Sequence, residues 1–251
     1  MQNAIRKALA DGKPSVGTWL NLGSPLAAEV LAAAGFPWLC IDAEHTAYGM
    51  GEIAHSLRAI EARGALPLVR AWDHAPTTIG RLLDAGARGI VFPHVSTPEQ
   101  AQSLAQAMRY PPTGHRSSGT GRCLTLHPDY RALANDDVLC IPQIEDPEGI
   151  ANAEAIAAVP GVDALLVGTN DLCMEMGIPG DVGNERVVEA YRTMIAACKK
   201  HGKSVGMGGV YAPPLMEKYI EMGVRLVLGS SDLQLMMAAG RERTSALRAM
   251  L

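Results

Sequence analysis

No cysteine pair of the CxxC type occurs, and the five cysteines (Cys40, Cys123, Cys140, Cys173, Cys198) are odd in number and widely scattered. That spacing offers no disulfide framework and leads to the expectation of buried, reduced thiols in a cytoplasmic protein. Aromatic residues make up only 4%, so the core must be built from the abundant Ala, Leu and Val. Such a mix suits Ala-rich helices laid on aliphatic parallel strands. No uncharged apolar run reaches the ~18 residues of a membrane span, because Glu29 interrupts the most apolar early segment. Blocks of like charge are missing and the net charge is −4, so neither nucleic acid nor an anionic membrane is called for. The segment Met1–Lys13 lacks a secretory apolar region and reads as a short polar helix carrying Arg6 and Lys7. Low-complexity linkers are also missing, and residues 1–251 read as one domain. With 48% hydrophobic and 19% charged residues, the chain can bury a large core and is not disordered.

Short aliphatic runs alternate with helical patterns along the chain. Eight strand candidates emerge: Ser15–Leu20, Trp38–Asp42, Pro67–Arg70, Gly89–Pro93, Val138–Ile144, Ala164–Gly168, Ser204–Gly208 and Arg225–Gly229. Most are bounded by Gly or Pro, as strands buried on both faces should be. Helix punctuation fills the gaps. Ser24-Pro25 and Thr97-Pro98-Glu99-Gln100 are start signals, the second a capping box, and Ser230-Ser231-Asp232 opens the last helix. Gly35, Gly64, Gly86, Gly202 and Gly223 supply stops. This pattern, in a chain near the ~250 residues typical of the fold, predicts an α/β (β/α)8 TIM barrel, with an open doubly wound sheet as the alternative. The Gly-, Pro- and Ser-rich segment Tyr110–Asn135 reads as a functional loop with a short helix.

In such a barrel the catalytic groups stand where strands end. The second strand runs into Asp42-Ala43-Glu44-His45, where Asp42 and Glu44 share a face if the strand continues and His45 can serve as an acid or base. A polar turn with a capping acid is the plain structural reading of the same residues. The third strand ends in Arg70, which suits a carboxylate or a developing oxyanion, or a surface ion pair. Gln143 and Glu145 lie on one face at the end of the fifth strand, and a buried acid there needs pairing or a metal. The sixth ends in Gly168-Thr169-Asn170-Asp171, where Gly168 allows close backbone approach and the next helix opens with free N–H groups. Asp171 is either a metal ligand or an acid at a helix start. Glu145 and Asp171, from adjacent strands, make an oxygen-ligand pair for a hard divalent ion.

Those strand ends, taken in order with Gly17-Thr18-Trp19, Ser24-Pro25, Gly35-Phe36, Pro67-Leu68-Val69-Arg70, Leu83-Asp84-Ala85-Gly86-Ala87, Tyr110-Pro111-Pro112 with Gly114, Gln143-Ile144-Glu145 and Asp171-Leu172, resemble the HpcH/HpaI aldolases over nearly the whole chain. The resemblance implies a metal-dependent (class II) pyruvate aldolase, a carbon–carbon lyase that cleaves a 4-hydroxy-2-oxo acid reversibly to pyruvate and an aldehyde through a stabilised pyruvate enolate. It implies Glu145 and Asp171 as ligands of a divalent ion (Mg2+, Mn2+ or Co2+), Arg70 as the enolate stabiliser, His45 as acid/base and Asp42 as the group orienting His45. Trp19, Gln143 and the backbone of Gly168, Thr169 and Asn170 are implied in substrate binding, with Asp84 as a supporting acid near the mouth. A homo-oligomer, a hexamer built through the C-terminal helix at 231–251, is implied as well.

The chain departs from the family pattern at His94, where an apolar residue is usual, at Cys173 after Leu172, and at Arg116-Ser117-Ser118, where Arg-Gly is usual. These changes are expected at the mouth and the long loop, where Arg122 is a candidate partner for a distal substrate carboxylate, so they bear on the aldehyde and not on the pyruvate half. A Schiff-base aldolase would need a lysine inside the barrel. Lys7, Lys13, Lys199, Lys200, Lys203 and Lys218 all fall outside the strand candidates. An acyl-thioester C–C lyase would need a basic coenzyme A site, for which there is no cluster. A non-catalytic barrel subunit has the intact His/Arg/Glu/Asp set against it.

Overall fold

The computed structural model describes residues 3–251. Eight parallel strands, β1 (Ser15–Leu20), β2 (Trp38–Asp42), β3 (Leu66–Arg70), β4 (Gly89–Phe92), β5 (Leu139–Ile144), β6 (Ala164–Gly168), β7 (Ser204–Gly208) and β8 (Val224–Ser231), close into a barrel in sequence order. Closure comes from β1 pairing with β8, which settles the choice against an open sheet. Around it run α1 (Ala4–Ala10), α2 (Pro25–Ala33), α3 (Met50–Ala62), α4 (Pro76–Ala85), α5 (Pro98–Ala107), α6 (Tyr130–Asp137), α7 (Pro147–Ala151), α8 (Ala153–Ala158), α9 (Thr169–Glu175), α10 (Glu185–Lys200), α11 (Pro213–Met222) and α12 (Asp232–Arg248). Each strand matches its sequence expectation to within two residues. The largest extension, β8 to Ser231, arises because Ser231 pairs with Trp19 after a register shift that adds one residue to β8. Met1 and Gln2 of the expected N-terminal helix lie outside the described residues. No helix among the described residues is long and apolar enough to cross a membrane.

Period-two alternation divides the strands into two cores. Leu20, Ile41, Val69, Ile90, Phe92 and Val167 face outward and pack against helix residues such as Leu57, Ile60, Leu82 and Tyr191. Trp38, Cys40, Leu66, Leu68, Val91, Leu139, Ile141, Leu166, Leu226 and Leu228 fill the barrel interior, and Ile5 of α1 joins them as a plug. Burying each of these aliphatic side chains contributes roughly 1.5–3 kcal/mol. Gly17 is required inside: a methyl group there would fall 2.3 Å from the Trp38 ring. The Trp38 indole N–H donates to Ser15 Oγ at 3.0 Å, so the buried ring leaves no orphan donor.

The expected starts and stops are made. Ser24 and Ser231 cap α2 and α12, and Thr97 with Gln100 forms the capping box of α5. Gly86 closes α4 with φ 110°, a conformation that a side chain would strain. All five cysteines are buried and unpaired.

The long segment after α5 is not a mouth loop. It connects a helix to a strand and therefore lies toward the N-terminal ends of the strands, the face opposite the one that carries chemistry in this fold. It folds on itself through a 3-10 turn (Arg122–Thr125) and α6, with Tyr110, Cys123, Tyr130 and Ala134 as a small core. Within the chain, Arg122 donates to the Ala85 carbonyl and pairs with Glu61, away from the strand-end rim.

Candidate active site

The alternation that buries the interior also selects the polar layer above it. Trp38 and Cys40 face inward in β2, so Asp42 does too; Leu66 and Leu68 are followed by Arg70, and Leu139 and Ile141 by Gln143 and Glu145. Asp42 and Arg70 are register partners in the β2–β3 ladder. Their side chains form a two-point ion pair, with Arg70 Nε donating to Asp42 Oδ1 at 3.0 Å and Nη2 to Oδ2 at 2.7 Å. Arg70 Nη1 lies 3.2 Å from Glu44 Oε2, and the guanidinium stacks 4.6 Å from the Trp19 ring. Burial works against the Arg70 charge, but the bonds and charge of Asp42 and the charge of Glu44 outweigh it and hold its pKa above the ordinary value. Of the five guanidinium N–H groups, Asp42 takes two, and Glu44 Oε2 lies beside Nη1 without accepting a hydrogen bond, so N–H groups on both Nη atoms remain for another oxygen.

These residues line a cavity of about 280 Å³. Trp19 and Asn21 enter from β1 and its end, Asp42 from the end of β2 and His45 from the turn after it, Arg70 from β3, and Gln143 from β5. The far wall is Gly168, Thr169, Asn170 and Asp171 at the start of α9, with Gly208, Gly209 and Tyr211 after β7. The Thr169 hydroxyl is bonded to Tyr191 OH at 2.7 Å, so the backbone of Thr169 is what it offers to the cavity. No lysine is among the lining residues.

Glu145 lies just beneath the lining, 2% exposed. Gln143 Nε2 donates to both its oxygens at 3.0 and 2.9 Å, and the His94 backbone N–H donates to Oε1 at 2.8 Å. Gly168 makes room, since a methyl group there would sit 2.5 Å from Glu145 Oε2. Burial pushes the Glu145 pKa up, the bonds from Gln143 and His94 pull it back, and the charge of Asp171 raises it. A buried acid with a second acid nearby and no arginine or lysine bonded to it suits a hard cation, and two carboxylates with the unpartnered Gln143 Oε1 close by form an oxygen-rich set that fits a divalent ion. Among the described residues, no group of three or more His, Cys, Asp and Glu converges as a ready-made metal cage. The remaining ligand positions therefore fall to water and substrate oxygens.

Within the single chain, three residues stand apart from the places expected for them. Asp42 does not orient the His45 ring: its oxygens serve Arg70, Asn21 Nδ2 at 2.9 Å, and the backbone N–H groups of Glu44 and His45. Strand register decides this, because Arg70 is the cross-strand neighbour of Asp42. Asp84 is not at this cavity. It sits in the last turn of α4 and accepts from Arg116 Nη2 at 2.8 Å and from Cys123 Sγ at 3.6 Å. Arg116 is likewise away from the mouth, buried against Tyr110 and Tyr130. His94 does stand beside the site, held at φ 54° in a left-handed conformation that costs a non-glycine residue about 1–2 kcal/mol. Asn21, Gly208, Gly209 and Tyr211 were missed. Asn21 continues the inward alternation from Trp19, whereas only the Gly206–Gly209 glycine spacing hints at the β7 end.

A model of the HpcH/HpaI aldolase/citrate lyase family matches residues 15–239. The chain is 38% identical over 240 residues to 2-dehydro-3,6-dideoxy-6-sulfogluconate aldolase of Pseudomonas putida, covering 93% of this chain and 92% of that one. It is 35% identical to 5-keto-4-deoxy-D-glucarate aldolase of Klebsiella pneumoniae subsp. pneumoniae, with 98% and 97% covered. A crystal structure of an HpcH/HpaI aldolase/citrate lyase family protein from Burkholderia cenocepacia superposes with a TM-score of 0.92 at 37% identity, covering 98% of this chain and all of that one. With a closed eightfold barrel, an arginine–aspartate pair at its strand-end rim and relatives covered almost end to end, the chain belongs to the HpcH/HpaI aldolase/citrate lyase family.

Proposed function

We propose that this protein is a carbon–carbon lyase of the pyruvate-aldolase type, cleaving and reversibly forming a 4-hydroxy-2-oxo acid from pyruvate and an aldehyde. The observation that carries this reading is Arg70, seated on Asp42 and Trp19 with N–H groups to spare at the edge of a cavity that also holds His45 and Asp171. A divalent ion (Mg2+, Mn2+ or Co2+) held by Glu145 and Asp171 would supply Lewis-acid stabilisation of charge on the 2-oxo oxygen, a contribution of several kcal/mol.

The chain's own residues do the rest. The substrate carboxylate is received by backbone N–H groups at Gly168–Asn170, where α9 begins. As the C3–C4 bond breaks, negative charge grows on the 2-oxo oxygen, and the free Nη groups of Arg70 donate to it. His45 takes the proton from the C4 hydroxyl, a role worth roughly 10²–10⁴-fold. Gln143 holds Glu145 through its amide nitrogen and turns its carbonyl oxygen to water or substrate. Trp19 fixes the guanidinium plane. Without a lysine in the cavity wall, Schiff-base chemistry has no nucleophile there.

The same reading includes a homo-oligomer, with the hexamer as the expected form. Beyond Asp232, α12 and the residues after it are exposed, and Leu233, Leu235, Met236, Met237 and Leu247 lie open to solvent. An apolar patch of this kind marks a protein contact. Light scattering on the purified protein measures the mass; a monomer would remove the assembly from the proposal without touching the chemistry.

The testing experiment is deuterium exchange at the pyruvate methyl group in D2O, followed by proton NMR with and without EDTA. Exchange that EDTA stops and Mn2+ or Mg2+ restores is expected. Exchange that survives EDTA would point to a metal-free route, and no exchange with any metal would overturn the pyruvate assignment.

A further inference from the structure

The chemistry proposed above uses only part of the cavity wall. Pyruvate takes Arg70 on β3 and the backbone that opens α9, and His45, after β2, meets the C4 hydroxyl. The wall left for the carbons beyond C4 is made by Trp19 in β1, Asn21 just after it, and Tyr211 after β7. Two polar groups stand on it. Asn21 Nδ2 donates to Asp42 Oδ2 at 2.9 Å. An ionised carboxylate only accepts, so the NH2 end of the amide faces Asp42 and the carbonyl Oδ1 is its free end. Among the described residues, Oδ1 has no hydrogen-bond partner. Asn21 is held in place before any substrate arrives: its backbone N–H donates to Asp232 Oδ1 at 2.7 Å, and that of Leu22 donates to Asp232 Oδ2 at 3.2 Å. Tyr211 is half-buried on the same cavity. Burial pushes its pKa up and the Arg70 charge pulls it part of the way back, so its hydroxyl stays a donor.

We propose that Asn21 and Tyr211 select the aldehyde: Asn21 Oδ1 accepts from, and Tyr211 OH donates to, a hydroxyl on the carbon beside the carbonyl, so the second substrate is a 2-hydroxyaldehyde. The proposal rests on the aldolase reading and names its substrate class. β1 pairs with β2, which puts Asn21 next to the strand end that carries His45, on the side of C4 away from pyruvate. The selected hydroxyl becomes the one on C5 of the product and takes no part in making or breaking the C3–C4 bond. An alkyl aldehyde fills the same space but leaves the amide oxygen and the phenol without partners. A site built to hydrogen-bond a hydroxyl discriminates against the analogue that lacks it.

Glycolaldehyde and propanal differ only in that one carries a hydroxyl where the other has a methyl group. Addition of each to pyruvate is followed on the Mn2+-loaded protein, and the ratio of the two kcat/KM values is the readout. The intrinsic reactivity and hydration of the aldehydes are the same for every variant, so they cancel when ratios are compared. Tyr211→Phe removes the donor alone, and Asn21→Ala removes the acceptor. Each should lower the preference for glycolaldehyde about tenfold, the worth of a lost hydrogen bond. Slower addition of both aldehydes with an unchanged ratio would mean support of the site without selection, and would overturn the proposal. So would a preference of the unsubstituted protein for propanal. The unsubstituted protein also separates the two levels of the reading. Exchange at the pyruvate methyl group without addition of either aldehyde would keep the enolate chemistry and overturn the acceptor assignment. Neither exchange nor addition would overturn the aldolase reading, and this proposal with it.

Discussion

Two arginine–aspartate pairs in this molecule are built from nearly the same parts. Arg70 donates to Asp42 at 2.7 Å and stacks 4.6 Å from Trp19; Arg116 donates to Asp84 at 2.8 Å and stacks 4.5 Å from Tyr110. Each lies beside a cavity, of about 280 Å³ for Arg70 and about 350 Å³ for Arg116, but a tenth of the Arg70 side chain is exposed to its cavity and none of Arg116. The Arg116 side chain is fully enclosed, with Tyr130 OH accepting from Nη1 at 3.1 Å and Cys123 packed beside it. What separates them is where the chain delivers them. Arg70 ends a strand, where the barrel opens, whereas Arg116 lies in a helix-to-strand connection on the opposite face, where polar groups serve stability. An arginine–carboxylate pair is therefore not by itself the mark of a site. It becomes one when exposed donors are delivered to the strand-end rim, the face on which this fold carries its chemistry.

The comparison can be broken most decisively at the strand-end rim. Glu145→Gln keeps the shape of a buried side chain and removes its charge, so metal-dependent exchange of the pyruvate methyl protons should be abolished. Full exchange in that variant would remove Glu145 from the ligand set. Arg70→Lys keeps a positive charge beside Asp42 but loses the fork that grips the carboxylate and faces substrate. Its kcat for aldol cleavage should drop roughly 10²–10³-fold, as for a lost oxyanion donor. Mn2+ affinity, read by titration calorimetry, should stay within a few-fold; an equal loss in both would assign Arg70 to holding the site together. At the sealed pair the expected currency is stability. Arg116→Met leaves the Asp84 carboxylate unpaired and removes the cation from between two tyrosines, a loss of about 3 kcal/mol. That corresponds to a melting temperature lower by roughly 6–12 °C for a chain of this size. A melting temperature unchanged by the substitution would erase the contrast.

The barrel was legible because each strand is a short aliphatic run between glycine or proline punctuation, and because alternation from Trp38, Leu66 and Leu139 carries Asp42, Arg70, Gln143 and Glu145 to the inner face. Partnership within the rim was harder to read. The resemblance implied Asp42 as the group orienting His45, yet the β2–β3 register puts Asp42 opposite Arg70 and leaves the His45 ring 3.4 Å from Glu44. The segment at 110–135 misled for a different reason. Its glycines, prolines and arginines resemble a substrate loop, but it follows α5 and precedes β5, and that order alone assigns it to the N-terminal face. Tyr211 had no motif to mark it, since a strand-to-helix loop reaches the cavity by its path and not by a repeating pattern.

The finest test of the sealed pair is Tyr130→Phe, which keeps the ring against Arg116 and deletes only the hydroxyl that accepts from Nη1. Losing a buried hydrogen bond to a charged donor should cost about 1–2 kcal/mol near neutral pH. The cost should also depend on pH. Burial pushes the Tyr130 pKa up to about 12, with the Arg116 charge pulling it part of the way back, against an ordinary value of about 10. Below about pH 10 the hydroxyl is protonated in both folded and unfolded chains, and its contribution is fully present. As pH rises from about 10 toward about 12, the unfolded chain releases this proton while the folded one keeps it, so that contribution is lost. Phenylalanine has no proton to release. The stability gap between the unsubstituted protein and Tyr130→Phe, taken from urea midpoints, should therefore be widest near neutral pH and narrow by about pH 11. A gap that stays constant would mean that the hydroxyl is not held neutral by its burial, and that the pocket around Arg116 is less closed than the one around Arg70 is open.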